Sequence, residues 1–510
     1  MKSSSKKIVV SLLILLTMLS CSKTENVATL NHPDLHADLV VVGAGGAGLS
    51  AAIQARQLGL DVVLLEKNGY PGGSTIMAEG MFAVGSHFQK EAGVKTSSRD
   101  VLKSVEEYHH WIPDSTLLKK FFESSAETID WLESLGVKFT GVSFMGDSVQ
   151  TWHLFKGKGE EYVSSLHKAA IEAGVNLMLE TPGKELVMEK GKVKGIIAEK
   201  KDGTKLSIEA PAVILATGGY SDNPEMMRKY AGINPENAVQ IGMPGRTGDG
   251  INMGIDVGAA TSNLGTVVFY GGNLKGVPYG THLYTASAFQ PTMVWVNQDG
   301  VRFADESIAG RNFSYSGNAI KSQDKVYSIM NKANLDYLVE KGCIFGTGEY
   351  TVTGTKLTDL YKEMNEQLSK SDSGIFIADS LEKLAALIHV DKNALLTTMN
   401  NYNSYCEAGN DEEFDKAPTF LVSMSAGPYY AFALEVGYFT TVGGLTVNKD
   451  AQVLDLDGQV IPGLYAAGSD AGGLYGDSYD VVYCAGSQQG WAVNSGRFAA
   501  KDAARFLGKE

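Results

Sequence analysis

Cysteine is scarce in this chain. Cys21, Cys343, Cys406 and Cys484 are the only four in 510 residues, and no C-x-x-C or C-x-x-C-H pattern joins them. That excludes an attached c-type haem and disfavours an iron–sulfur centre, so any redox chemistry needs an organic cofactor. The three thiols beyond Cys21 are expected to be free and buried, with at most one disulfide among them. Positive charge is also short: the net charge of −14 argues against nucleic acid, whose phosphates would be repelled. The N-terminal apolar run, Ile8 to Leu19, has 12 residues and is too short to span a bilayer. Internal repeats and low-complexity tracts are absent. The length accommodates two domains, or one large domain carrying an insertion.

What is present begins with a leader. Lys2, Lys6 and Lys7 precede the apolar run, which ends in Met18-Leu19-Ser20-Cys21, a sequence similar to the lipobox of bacterial lipoproteins. The likeness implies cleavage before Cys21 and acylation of that residue, which anchors a protein to a membrane without a spanning helix. Residues 1–21 are thus expected to be a signal peptide and the polar residues 22–36 a tether. The expected location is the cell envelope, facing the periplasm.

The first segment beyond the tether, Ala37 to Gly48, is an apolar run ending in glycines spaced G-x-G-x-x-G. A helical pattern from Leu49 to Leu58 follows, then a second apolar run, Val62 to Leu65, ending in the acid Glu66. This is the layout of a strand–turn–helix–strand unit that holds a dinucleotide. Gly43 permits the tight turn, Gly45 lets the backbone approach a pyrophosphate, and Gly48 allows close helix–strand packing. A helix start in the loop Ala44, Gly46, Ala47 offers free N–H groups to phosphates. Glu66, about 20 residues on, is placed to accept a ribose hydroxyl.

Downstream, Gly69 to Thr75 is a second glycine-rich loop. Helical periodicity runs from about Asp100 to Leu135 with a break at Pro113, where Asp114 or Ser115 is a candidate cap, and again from Glu160 to Ala173. Short strands follow at 186–188, 193–198 and 206–208, and a buried strand at 212–216 leads into Thr217-Gly218-Gly219. Residues 266–440 are richer in polar and aromatic residues and lack further βαβ units. From Gly443 the strands and glycine turns return, closed by a helix from Ser487 to Phe506.

These motifs together resemble the fumarate reductase/succinate dehydrogenase flavoprotein superfamily, which includes soluble fumarate and urocanate reductases and 3-ketosteroid dehydrogenases. The likeness is carried by Gly43–Gly48 with Glu66-Lys67, by Gly72-Gly73-Ser74-Thr75 with Ala78-Glu79-Gly80, and by Ala216 to Tyr220. Thr247-Gly248-Asp249-Gly250, Gly300 to Phe303 with Glu306, Asn401-Tyr402-Asn403 and Gly463 to Gly468 complete it. It implies an α/β fold: a Rossmann-like FAD-binding domain at 37–265 and 441–510, interrupted by an α+β capping domain at 266–440 that closes over substrate. It implies FAD, with Glu66 on the adenosine ribose and Ser74 and Thr75 by the pyrophosphate or flavin. Asp249 would accept a bond from the cofactor, and Lys67, Gly80, Thr217, Gly218, Gly468 and Ser469 would clasp it. The turn Ala485 to Gln489, with Ser487 and Gln488, would present a helix start to flavin N1/O2, where reduced flavin is negative. Ser74 stands where membrane-bound relatives attach FAD to a histidine, so non-covalent FAD is expected.

The resemblance also implies a proton-donating arginine soon after Arg302-Phe303-Ala304-Asp305-Glu306. Arg311 is the nearest match, one residue beyond the usual spacing; the alternative role for it is an ion pair with Asp305 or Glu306. Of the residues that hold two carboxylates in fumarate reductases, Thr285 remains. The family's next glutamate corresponds to Ala286, its proton-relay arginine to Phe289 and the histidine near the end of its capping domain to Thr440, and the final carboxylate-binding arginine has no match in Gly476 to Tyr483. Losing those partners argues against fumarate, because a buried unpaired carboxylate costs several kcal/mol. Tyr279, Tyr284, Phe289, Tyr475, Tyr479 and Tyr483 suggest an aromatic pocket, about half of them expected to miss the site, with a tyrosine such as Tyr479 as a second candidate acid. His153 and His282 are candidate ligands, more often structural.

The leading expectation is reduction of a conjugated C=C bond in an enoate bulkier than fumarate. Hydride would pass from flavin N5 to the β-carbon, and Arg311 or a tyrosine would protonate the α-carbon. The competing readings are a 3-ketosteroid-type dehydrogenase, a flavin electron carrier without substrate chemistry, and NAD binding alone. The partners expected are a small alkene or ketone-conjugated substrate and an external electron-transfer protein or quinol-linked donor.

Overall fold

The computed structural model describes residue 30 and residues 32–145 and 149–509; the leader, Cys21 and most of the tether lie outside the described residues. The β-branched run becomes β1 (Leu39–Val42), followed by α1 (Gly46–Gln57) and β2 (Val62–Leu65). α1 is small or apolar nearly all round, and Gly46 through Ala55 are all buried, as expected of a core helix rather than a surface one. Next come α2 (Ser98–Tyr108) and α3 (Ser115–Ser134), parted at Pro113. Asp114 caps α3 by accepting the N–H groups of Thr116 and Leu117, which fixes where the helix begins. α4 (Lys158–Glu172), β3 (Asn176–Met178), an antiparallel meander over 183–209 and β4 (Ala212–Leu215) complete the first half.

β5 (Ala238–Gln240) and α5 (Asp249–Asp256) lead into the second region, which holds β6 (Val267–Leu274), α6 (His282–Ala288), β7 (Val294–Asn297), α7 (Phe313–Lys321), β8 (Val326–Asn331), β9 (Ile375–Ala378) and β10 (Tyr429–Thr441). The chain then returns through β11 (Gln452–Leu454) and β12 (Val460–Ala466) to α8 (Ser487–Phe506).

Two sheets organise the molecule. The first has the order β11-β12-β4-β1-β2-β3, parallel except for β11. β1 lies between β2 and β4, so the chain leaves its carboxyl end in opposite directions, the switch point where such sheets place ligands. The second sheet is built on the 13-residue β10, which pairs with β5, β6, β8 and β9, while β7 pairs with β8. β5 precedes residue 266 yet belongs to this sheet, so the capping region recruits a strand from the preceding segment. α8 crosses α1 so closely that a Cβ on Gly496 would lie 2.3 Å from the Ala47 carbonyl oxygen. Cys343, Cys406 and Cys484 are unpaired, the first and last buried. Among the described residues no helix is long and apolar enough to cross a membrane.

Candidate active site

A cleft of about 730 Å³ opens at the carboxyl ends of β1, β2 and β4 and runs to the second sheet. Gly43 turns there with φ +101°, and a Cβ on it would meet the Ala216 carbonyl oxygen at 2.3 Å. A Cβ on Gly48 would lie 1.7 Å from the Gly43 carbonyl oxygen. Gly45 differs: its Cβ would find only the Gly72 oxygen at 3.9 Å, because its open side faces the cleft. Two of the glycines are thus required by the fold and one by whatever fills the cleft. Gly45 caps α1 without a side-chain bond, and Gly45, Gly46 and Ala47 at this helix start line the cleft; Gly46 N–H donates to Thr75 Oγ1 at 3.0 Å.

Glu66 is 6% exposed at the end of β2, and both its oxygens are fixed by backbone donors, Ala44 N–H and Asn68 N–H, each at 2.8 Å. Its carboxylate is therefore oriented before any ligand arrives. Asp249 starts α5 and already accepts the Lys67 ammonium at 2.7 Å and the Thr247 hydroxyl at 2.8 Å. Ser74 lies in the turn Gly73–Met77, and its hydroxyl oxygen is buried without a hydrogen-bond partner while lining the cleft. A buried orphan hydroxyl is costly unless a ligand satisfies it. The pinned acid, the orphan hydroxyl, the open glycine and two helix starts, those of α1 and α8, all fit a bound FAD.

Of the other positions expected from the motifs, Gly43, Ala47, Gly73, Gly80, Thr217, Gly218, Gly468, Ser469 and Gln488 also line the cleft. Ala44, Gly48, Gly72 and Ser487 do not; they shape it from behind. Gly72 N–H donates to Ala44 O at 2.8 Å, tying the two glycine loops together. The Ser487 hydroxyl is 3.0 Å from that of Tyr475.

The candidate catalytic residues separate. Arg311 and Tyr479 line the cleft, whereas Thr285 is fully buried in α6 and its hydroxyl donates back to the Thr281 carbonyl at 2.9 Å. Arg311 is half exposed and 3.8 Å from Asp305. Glu306 takes no part in that pairing. It lies at 3.0 Å from both Arg302 and Lys416, and Arg302 also holds Asp411 at 2.9 Å, all four side chains without solvent exposure. Burial alone would raise Glu306, yet Lys416 and Arg302 hold it below the ordinary carboxylate value. This buried network anchors the segment that carries Arg311. Of the six aromatics, Tyr279, Phe289 and Tyr479 reach the cleft, joined by Phe345, Tyr350 and Phe439; Tyr284, Tyr475 and Tyr483 pack behind. Neither histidine lines the cleft. His153, lowered to about 4 by burial, lies 2.6 Å from the Ser86 hydroxyl, and His282 accepts the Asp359 N–H.

Three charged residues escaped sequence reasoning. Asp470 is fully buried and takes Thr217 N–H at 2.5 Å, the Thr217 hydroxyl at 2.8 Å and Gly219 N–H at 2.9 Å, joining the two halves of the cofactor domain. Arg246 is 5% exposed, donates to the Phe439 carbonyl at 2.6 Å and faces Asp222. Glu79 lines the cleft, and burial raises its carboxyl to about 7. An acid inside the glycine-rich run Ala78-Glu79-Gly80 was a visible signal for the last.

The chain matches the FAD binding domain family over residues 38–481. It is 38% identical to the vinyl phenol reductase of Lactiplantibacillus plantarum over 92% of this chain and 96% of that one. It is 33% identical to the urocanate reductase of Eggerthella lenta, over 85% of this chain and 70% of that one. The open conformation of a flavocytochrome c3 fumarate reductase superposes with a TM-score of 0.69 at 28% identity, covering 93% of this chain and 79% of that one. The protein therefore belongs to the FAD binding domain family, within the fumarate reductase/succinate dehydrogenase flavoprotein superfamily, as an FAD-binding oxidoreductase acting on CH–CH groups.

Proposed function

We propose that this protein reduces a carbon–carbon double bond conjugated to an aromatic ring, with a vinyl phenol as the type substrate. The observation that carries the reading is the wall of the cleft. Phe289 and Thr440 line it beside Tyr279 and Phe439; of the two arginines that line it among the described residues, Arg246 is already held by Asp222 and the Phe439 carbonyl, which leaves Arg311 from the capping region. A dicarboxylate would leave one charge there without a bidentate partner, whereas an aryl ring gains apolar and edge contacts. The likeness to a vinyl phenol reductase over nearly the whole of both chains supports the same substrate class.

When bound, reduced FAD supplies the hydride at N5. Arg311, on a segment fixed by the buried Arg302–Glu306–Lys416 network, holds the proton for the other alkene carbon. Tyr479 is the alternative donor, since burial pushes its hydroxyl well above the ordinary value and keeps it protonated. The start of α8, whose cap Gly486 lines the cleft, favours negative charge on the cofactor. Ser74 offers no histidine for a covalent link, so acid precipitation should release all flavin. Electrons come from an external donor, and anchoring at Cys21 places the protein at the envelope; loss of labelled fatty acid in a Cys21→Ala variant tests that.

A viologen-coupled assay tests the function, with 4-vinylphenol, 4-hydroxycinnamate, urocanate, fumarate and a steroid enone as candidate oxidants. Turnover is expected with the aryl alkenes. Turnover confined to fumarate or to the steroid sinks the reading.

A further inference from the structure

Four acidic residues line the cleft, and three are spoken for. Glu66 is fixed by backbone donors, Asp249 by Lys67, and Glu349 is solvent-exposed. Glu79 is the fourth. Its Oε2 accepts the Glu349 N–H at 2.7 Å, whereas its Oε1 has no hydrogen-bond partner among the described residues. A Cβ on Gly348 would lie 2.6 Å from Oε2, so the loop from the capping region is glycine where it packs on this carboxylate. The aromatic wall stands beside it: Tyr279 packs edge-on against Tyr350 at 5.6 Å and against Phe439 at 5.6 Å. Glu79 follows Ser74 and Thr75 by a few residues, so it joins the cofactor side of the cleft to the substrate side.

We propose that Glu79 reads the hydroxyl of a phenolic substrate: Oε1 accepts the O–H of a ring seated on the aromatic wall and takes that proton during reduction. The inference rests on the aryl-alkene reading above. A hydroxystyrene has no carbonyl to draw electrons from its alkene, so the bare double bond is a poor hydride acceptor. Transfer of the phenolic proton to Oε1, with protonation of the terminal carbon by Arg311 or Tyr479, moves the double bonds through the ring and makes C–O a carbonyl. The product is a quinone methide, formed without net oxidation, and its benzylic carbon accepts hydride. The ring then regains aromaticity, and the phenolate takes its proton back from Glu79. The sum is one hydride and one proton added across the alkene, with Glu79 ionised at the end as at the start.

A carboxyl raised to about 7 suits a group that must both take and return a proton near neutrality. The groups that face it are Lys158 of α4, Glu349 and Tyr350 of the capping loop, and Tyr279. Lys158 donates to the Glu349 carbonyl at 3.1 Å and lies 4.5 Å from the Tyr350 ring. Only ionised Glu79 is an acceptor of full strength, so phenol binding should tighten as pH rises through about 7. A residue that merely latches the loop would affect phenols and their methyl ethers alike.

The test titrates the oxidised, FAD-loaded protein with 4-ethylphenol and with its methyl ether, following flavin absorbance. The wild type is expected to bind the phenol about 10–100-fold more tightly than the ether, the value of one hydrogen bond to a charged group. Glu79→Leu should abolish that preference. Glu79→Gln, which keeps an acceptor but no base, should retain part of it and lose its pH dependence. No preference in the wild type, or a preference that survives in Glu79→Leu at normal flavin content, overturns the proposal. A parallel assay compares reduction of 4-vinylphenol and 4-vinylanisole. Equal rates in the wild type also overturn it. Failure to reduce any aryl alkene overturns the broader reading instead, and the binding titration still decides whether Glu79 recognises phenols.

Discussion

Replacing Asp470 should separate the two halves of the cofactor site. Its carboxylate accepts Thr217 N–H, the Thr217 hydroxyl and Gly219 N–H, and it is fully buried. Thr217 and Gly218 come from the first half, Gly468 and Ser469 from the second, and all four line the cleft. In Asp470→Ala three buried donors lose their acceptor, at about 1–3 kcal/mol each before relaxation. The sum, about 3–9 kcal/mol, is a large share of a domain's ordinary stability of about 5–15 kcal/mol. Asp470→Asn is milder: one oxygen can still serve the two Thr217 donors, but the amide NH2 then meets Gly219 N–H. Burial already works against the native charge and raises its pKa, so removing it recovers part of the loss. We expect a net cost of about 2 kcal/mol for Asn, or about 30-fold weaker FAD binding. Fluorescence titration of the apoprotein with FAD, alongside thermal unfolding with and without FAD, measures both effects. Unchanged affinity and unchanged unfolding in Asp470→Asn would refute the view that this carboxylate holds the cleft together.

Other substitutions test the division of labour in the site. Gly45→Ala should fold normally and lose FAD, because its Cβ points into open cleft, whereas Gly48→Ala should fail to fold, its Cβ lying 1.7 Å from a carbonyl oxygen; thermal unfolding and flavin content distinguish them. Arg311→Gln should lower turnover by about 10²–10⁴ with flavin content intact, the usual cost of removing a general acid. Thr285→Ala should change turnover less than about 10-fold, since the Thr285 hydroxyl is spent on its own helix. A larger effect there would restore it to the reacting centre.

The parts legible in the sequence are those set by local chemistry. The glycine spacing and Glu66 lie within one βαβ unit, and helix α8 could be bounded because Gly486 and the apolar period mark it. The break at Pro113 and the Asp114 cap were readable for the same reason. What escaped depends on distant contacts. Asp470 gains its role from donors more than 250 residues away, and nothing beside it in the chain announces that. Thr285 matched a family position, but its hydroxyl turned back to the helix, as buried helical threonines often do. The aromatics show the same limit. Tyr279 and Tyr284 are five residues apart, one partly and one fully buried, yet only Tyr279 faces the cleft. β5 joined the capping sheet because β10 is long enough to pair beyond its own region.

The most direct test is anaerobic reoxidation of the photoreduced protein in a stopped-flow instrument. 4-Vinylphenol is expected to restore the oxidised flavin spectrum and to yield one 4-ethylphenol per flavin, while fumarate leaves the spectrum reduced. Rapid reoxidation by fumarate with none by 4-vinylphenol would contradict the aryl-alkene reading.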